Sequence, residues 1–239
     1  FIKGCDVVFN LAALIGIPYS YLAPESYFDV NVKGTLNLLK ASNSFKIKKF
    51  IQFSTSEVYG TPETVPIKET HPLNAQSPYA ASKIASDQLA LSFYNSFKSP
   101  IVILRPFNVF GPRQSERAVI SSIINQILSC KNKKIRLGSL WPERDFNYVE
   151  DSVESISKII ELKNIEGQVI NIGSGFKISI GEVAKIVMKI TKKEVDILEE
   201  KKRIRPKESE VKYLLCNNQK SIDMGLYNKN SNSKIMFEN

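Results

Sequence analysis

The sequence predicts an α/β fold: a doubly wound parallel sheet with a smaller C-terminal α/β lobe. Two observations carry that expectation. Short apolar runs alternate with long stretches of helical spacing through the first half of the chain, and strands joined by helical crossovers pair in parallel. Beyond residue 112 the texture changes to shorter strands and helices, which read as a lobe interleaved with the sheet.

The elements follow in order. Val7-Val8-Phe9-Asn10-Leu11 is an apolar run ending in small residues, the pattern of a strand buried on both faces. Residues 26–44 have helical spacing, with Val30, Leu36 and Leu39 among the apolar positions. Lys49 to Ser54 is a second strand. Residues 78–97 read as a helix begun by Ser77-Pro78, where proline suits the first turn. Pro100 to Leu104 is a third strand. A helix over about 116–130 leads to strands near Ile135–Leu137 and Phe146–Tyr148. A helix over about 151–162, a strand at Val169–Ile172 and a helix at 179–191 complete the pattern. The division expected is 1–112 for the sheet with its catalytic residues and 113–239 for the lobe. The tail from about 228 reads as loosely ordered.

Composition excludes several function classes. The 239 residues are enough to bury a core, with 43% hydrophobic and 24% charged residues. No apolar run approaches the ~18 residues of a membrane span, so a membrane partner is not expected. The first residues, Phe1 to Asp6, lack the pattern of a signal peptide, and Met does not open the chain. Cys5, Cys130 and Cys216 are odd in number and far apart, which points to a reducing, cytoplasmic setting without disulfides. The single histidine, His71, precedes Pro72 in a polar stretch and reads as a loop residue, so no metal site is expected. The net charge of +9 comes with basic clusters at 131–134 and 201–203. Neither interleaves aromatics, so nucleic acid is not an expected partner.

Two motifs carry chemistry. Tyr79-Ala80-Ala81-Ser82-Lys83 places a phenol and an ammonium on one helix face, one turn apart. An adjacent ammonium favours the phenolate, which makes Tyr79 a base for an alcohol being oxidised. Ser54-Thr55-Ser56-Glu57-Val58-Tyr59-Gly60 stands at the end of a buried strand, where ligands bind in open parallel sheets. Its hydroxyls and carboxylate suit a proton relay, and equally suit a turn cap.

These motifs and others resemble the extended short-chain dehydrogenase/reductases of the NAD-dependent epimerase/dehydratase family. Asn10-Leu11-Ala12-Ala13, Asn31-Val32-Lys33-Gly34-Thr35, Arg105 to Arg113, Arg144-Asp145-Phe146, Asn171 to Gly175 and Arg205-Pro206 follow in that family's order. The resemblance is greatest to nucleotide-sugar 4,6-dehydratases. Ala13 to Tyr21 is similar to the N-acetylglucosamine-type enzymes of nonulosonate pathways.

The resemblance implies a Rossmann-like fold, NAD as cofactor, a nucleotide sugar as substrate, a homodimer and a set of roles. Tyr79 takes the proton of the sugar C4 hydroxyl, assisted by Lys83 and Thr55. Glu57 takes the C5 proton as water leaves C6. Ser56 stands where one branch of the family carries an aspartate acid. Ala12, Ala13, Ser54, Pro106, Asn108 and Val109, with Tyr79 and Lys83, are implied at the NAD cleft. Glu57, Asn108, Arg113, Arg144 and Arg205 are implied at the substrate, the arginines suiting a diphosphate. Asn31 suits a structural hydrogen bond equally well.

The family's opening strand, glycine-rich loop and acidic ribose reader do not occur in these residues. Gly173-Ser174-Gly175 follows a strand, but Ile178 stands where a third glycine belongs, so it is no dinucleotide fingerprint. UDP-glucuronate decarboxylases share Thr-Ser-Glu and Tyr-x-x-x-Lys. 4-Epimerases are more distant, usually lacking a carboxylate at the Glu57 position. A silent fragment of such an enzyme is the reading from another class. The expectation is that residues 1–239 alone bind NAD weakly and are inactive, because affinity in such folds comes largely from the glycine loop and its helix N-terminus. Calorimetric titration with NAD checks this. Submillimolar binding with turnover contradicts it.

Overall fold

The structure is a computed structural model and describes residues 2–226 except 205, 207 and 208. The expectations for Arg205 and for the tail from about 228 lie outside the described residues.

The chain opens with β1 (Val7–Asn10), α1 (Ile17–Ser20) and α2 (Pro24–Tyr27), which runs through a π turn (Phe28–Lys33) into α3 (Gly34–Ser44). Next come β2 (Lys49–Phe53), a 3₁₀ turn (Ser56–Tyr59), α4 (Pro78–Phe97), β3 (Ile101–Pro106) and β4 (Asn108–Phe110). The second half holds α5 (Val119–Ser129), β5 (Lys134–Leu137), β6 (Glu143–Arg144), β7 (Phe146–Tyr148) and α6 (Val149–Lys158). It continues with β8 (Val169–Ile172), β9 (Ile178–Ser179), α7 (Ile180–Thr191), β10 (Asp196–Glu199), β11 (Tyr213–Leu214) and α8 (Gln219–Asp223).

The main sheet has the order β1-β2-β3-β8, all parallel, so the second half of the chain supplies its last strand. Registers such as Ile51 opposite Val102 and Leu104 opposite Ile170 put alternate residues on two cores. Ile51, Val102, Leu104, Ile170 and Ile172 pack with Ile159 and Ile165 on one face. Phe50, Ile101 and Ile103 pack with Leu39 and Ala90 of α3 and α4 on the other. β2 and β3 are covered on both faces, as parallel strands require. β1 differs from expectation: Val7, Val8 and Phe9 are only half-buried, because β1 is the edge of this sheet. The lobe has its own core, where Ile120, Ile123 and Ile127 of α5 meet Val183, Ala184 and Val187 of α7 over β5.

Local chemistry explains the helix bounds. The Ser77 hydroxyl accepts from the Ala80 amide at 3.1 Å, Pro78 fills the first turn, and Lys98 ends α4 in the left-handed region. At α7 the Ser179 and Glu182 side chains cap each other's backbone amides. The expected helix over 116–130 starts at Val119, because 115–118 close a separate turn. The one expected over 151–162 runs from Val149 to Lys158. Val30, expected on a buried face, is exposed, because the π turn rotates the helix so that Asn31 is buried instead. Among the described residues no helix is long and apolar enough to cross a membrane.

The end of α6 meets the start of β2 through one side chain. Lys49, 6% exposed, donates from Nζ to Ile159 O at 2.8 Å, Ile160 O at 3.0 Å and Leu162 O. These are carbonyls that the terminating helix cannot pair itself. Lys49→Met therefore removes three hydrogen bonds while filling the same space. We expect a loss of about 1–3 kcal/mol in unfolding free energy by urea titration. An unchanged midpoint contradicts the assignment.

Candidate active site

Three of the parallel strands end in chemistry. β2 runs out at Phe53 into Ser54-Thr55-Ser56-Glu57, beside the first turns of α4, which carry Tyr79 and Lys83. Ser54 is held by its amide on Leu104 O at 2.7 Å and by its hydroxyl on Asp87 Oδ2 at 2.8 Å. Thr55 caps the 3₁₀ turn, its hydroxyl accepting from the Glu57 amide at 3.3 Å, and also hydrogen-bonds the Tyr79 phenol. Ser56 and Glu57 are buried in the turn. The turn closes at Gly60, with φ +60; a Cβ there would lie 2.3 Å from Asn74 O, so only glycine fits.

Tyr79, Lys83 and Asp87 follow at one-turn intervals on α4, and all three are buried. Lys83 donates from Nζ to Phe53 O. Asp87 is paired with Arg105 of β3, which donates to Asp87 Oδ2 from Nε at 3.2 Å and from Nη2 at 3.1 Å. Arg105 Nη1 donates to the Tyr59 hydroxyl at 3.0 Å, and Tyr59 donates to Asn171 Oδ1 at 2.7 Å. The Asn171 amide then donates to Glu69 at 3.0 Å. One buried polar chain thus joins α4, β3, the strand-end turn and β8.

A second network fixes the loop after β1. Asn31 accepts from the Leu14 amide at 2.8 Å and donates to Leu14 O at 3.0 Å and to Ser82 Oγ at 2.9 Å. Ser82 donates to Tyr79 O at 2.7 Å. Asn31 is therefore a structural hydrogen-bonder at the foot of α4. Its own carbonyl accepts from the hydroxyls of Thr35 at 2.6 Å and Ser86 at 2.8 Å. Tyr27 packs edge-on against Tyr79 with centroids 6.2 Å apart and donates its hydroxyl to Gly16 O.

The electrostatics correct one expectation. An ammonium one turn away was expected to lower the Tyr79 phenol. Burial instead pushes it above its ordinary value; the Thr55 hydrogen bond opposes this, and Glu57, Tyr27 and Asp87 add to it. Burial pushes the Lys83 ammonium down, and the Asp87 carboxylate opposes this. Burial likewise pushes Asp87 up, opposed by Arg105, Ser54 and Lys83.

The other expected residues stand as follows. Ala12 is exposed and Ala13 half-buried on the loop after β1. Pro106, Asn108 and Val109 are half-buried at the end of β3 and in β4, and Asn108 Oδ1 is buried without a partner among the described residues. Arg113 is exposed with φ +67. Arg144 is buried, donating to Val211 O at 2.8 Å and pairing with Glu210 at 3.3 Å, so its guanidinium is engaged within the lobe. His71 is half-buried in a bend, edge-on to Tyr59. Asp87, Arg105 and Tyr27 were not assigned roles from sequence. The available signals were Asp87 one turn beyond Lys83 and a charged residue inside an apolar strand.

Comparison with known proteins gives this arrangement a context. The family described as GDP-mannose 4,6 dehydratase matches residues 3–224. The chain is 35% identical over 198 residues to a dTDP-D-glucose 4,6-dehydratase of Dictyostelium discoideum, covering 78% of this chain and 45% of that protein. It spans about half the length of the curated relatives it matches. A UDP-glucuronic acid 4-epimerase from Bacillus cereus, solved with UDP-glucuronic acid and NAD, superposes with a TM-score of 0.88. It is 31% identical and covers 98% of this chain and 73% of that one. A UDP-N-acetylglucosamine 4-epimerase from Methanobrevibacter ruminantium, in complex with UDP-N-acetylmuramic acid, gives 0.86 at 32% identity, covering 99% and 76%.

The buried pair has a measurable consequence. Arg105→Met leaves Asp87 without its guanidinium, and breaking a buried pair costs about 3–5 kcal/mol. Urea unfolding should show that loss, with much of it recovered in Arg105→Met/Asp87→Leu. A loss below about 1 kcal/mol, the size of an exposed pair, contradicts the arrangement.

Proposed function

Because the chain belongs to the GDP-mannose 4,6-dehydratase family of extended short-chain dehydrogenases, we propose that the protein is an NAD-dependent nucleotide-sugar 4,6-dehydratase, acting on a nucleotide-linked N-acetylglucosamine. The observation that carries this reading is Glu57, a buried carboxylate close enough to Tyr79 to raise its phenol. Elimination of water across C5–C6 needs a base at C5 beside the group that serves C4, whereas epimerisation at C4 needs no such base.

The residues at the strand ends suit a nicotinamide nucleotide. Ala12, Ala13, Ser54 and Thr55 are small, Tyr79 and Lys83 are buried beside them, and Asn108 Oδ1 awaits a donor. Bound there, NAD supplies the acceptor and later the donor of hydride. Tyr79, hydrogen-bonded to Thr55, receives the proton of the C4 hydroxyl, and Lys83 holds positive charge beneath it. A ketone at C4 acidifies the C5 proton, which Glu57 removes as the C6 hydroxyl leaves. Ser56, buried next to Glu57, is a candidate to orient the departing water. In this reading Ala12, Ala13, Pro106 and Val109 would line the cofactor side, and Asn108 and Arg113 would face the sugar nucleotide. For Arg144 to bind a diphosphate, it must exchange Glu210 for phosphate oxygens.

A second reading, a 4-epimerase, is favoured by the two epimerase structures at 31% and 32% identity. The experiment that separates the readings is mass spectrometry of UDP- and GDP-linked N-acetylglucosamine incubated with the full-length protein. We expect loss of water. An unchanged mass selects the epimerase, and loss of carbon dioxide from UDP-glucuronate selects a decarboxylase. Tyr79→Phe should abolish oxidation at C4. Glu57→Gln should leave oxidation intact and slow elimination by about 10²–10⁴; water loss at the parent rate refutes Glu57 as the C5 base.

A further inference from the structure

The helix face that carries Tyr79 and Lys83 continues for one more turn into the interior, to Asp87. Asp87 is fully buried, and its Oδ2 accepts from Ser54 Oγ and from two nitrogens of Arg105. Its Oδ1 has no hydrogen-bond partner among the described residues. A side chain needed only to satisfy Arg105 would be expected to use both oxygens, since guanidinium and carboxylate pair best through two parallel bonds. Here both Arg105 bonds fall on Oδ2, and half of the carboxylate is left toward the remainder of its surroundings.

The nearest cation besides Arg105 is Lys83, four residues earlier on α4. Lys83 is 4% exposed, and its Nζ donates to a neutral carbonyl, Phe53 O. A buried ammonium held only by a neutral acceptor loses its proton readily. The groups around it are Tyr79 and Asp87 on its own helix, and Thr55 and Glu57 on the turn after β2. Behind these stand Arg105 of β3, against Asp87, and Tyr27 of α2, against Tyr79. Of these, Asp87 lies one helical turn from Lys83 on the same buried face of α4, where a carboxylate favours the ammonium and the ammonium favours the carboxylate.

We propose that Asp87 is a positioning residue for the Tyr79–Lys83 pair: a buried carboxylate, anchored by Arg105 and Ser54, that keeps Lys83 protonated from one helical turn below. Asp87 touches neither substrate nor cofactor and acts only through Lys83. Arg105 serves as the anchor that keeps Asp87 ionised inside the protein, because a guanidinium does not give up its proton. The strand end thereby holds a fixed order of charge, from Arg105 through Asp87 to Lys83 and Tyr79. The proposal rests on the reading of Tyr79 and Lys83 as the working pair, but its test does not depend on turnover.

The test is the titration of Lys83 in the intact protein, followed by NMR with lysine labelled at Cε and assigned with Lys83→Met. In Asp87→Asn, which keeps the shape and removes the charge, the Lys83 midpoint should fall by about one pH unit or more, a tenfold loss in proton affinity. A merely structural Asp87 would lower the melting temperature and leave that midpoint where it was, and an unchanged midpoint overturns the proposal. Asp87→Asn also strands Arg105, and a second variant that leaves the Asp87–Arg105 pair intact separates the two effects. In Lys83→Met the Asp87 carboxyl, labelled at Cγ, should titrate at higher pH than in the parent protein; an unmoved Asp87 equally overturns the proposal. Turnover on nucleotide sugars is measured separately on the parent, so failure of the functional reading would appear there and not in either titration.

Discussion

The structure is organised around a charge buried where three parallel strands end. Arg105 lies in β3 between residues that are otherwise wholly apolar, and it is 3% exposed. An unpaired guanidinium in that position would be prohibitive, so the fold must bring it a carboxylate. Asp87 meets that need only if α4 packs on β3 in one register and at one depth. Satisfying Asp87 then fixes Ser54 at the end of β2, and satisfying Arg105 fixes Tyr59 and, through it, Asn171 of β8. Buried pairs of this kind add little net stability compared with apolar packing. What this one specifies is alignment: a slip of any of the four elements would break a hydrogen bond that water cannot replace.

That alignment sets α4 against the strand-end turn, and it does so at an electrostatic cost. Every titratable group on the buried face of α4 is shifted toward its neutral form by burial. A phenol acting as a base and an ammonium acting as a cation need the opposite. The local hydrogen bonds recover part of this: Thr55 favours the phenolate, and Arg105 and Ser54 favour the carboxylate. These side chains thus sit on a buried face where a few placed dipoles and charges act strongly, because solvent screens them little.

Much of this was legible in sequence. The bounds of α4 could be read from Ser77-Pro78, and the strands from apolar runs at the spacing of crossovers. Three things were not legible, each for a physical reason. Asp87 on a helix and Lys49 at a strand start carry no sign of burial, since sequence does not display the partners that make burial tolerable. The face of the helix around Val30 was misread because a π turn adds a residue to the hydrogen-bonded ring, which breaks the 3.6-residue phase on which the reading relied. The direction of the Tyr79 shift was misjudged because spacing reports a neighbouring charge, while burial depends on everything packed around it.

The lobe is joined to this sheet by a second buried carboxylate. Asp145 accepts from the amides of Ser174, Gly175 and Cys216, from the Ser174 hydroxyl and from Asn147. Among the described residues no salt bridge reaches it, and burial pushes it up to about 6 despite those donors. Its donors come from the turn after β8 and from the segment after β11, so it clamps the exit of the sheet to the lobe. The clamp is close: a Cβ on Gly173 would lie 2.2 Å from that of Cys216. The neighbouring Arg144 pairs with Glu210 on the segment before β11. Each of the two buried arginines, Arg105 in the sheet and Arg144 in the lobe, is thus held by a carboxylate from a different element.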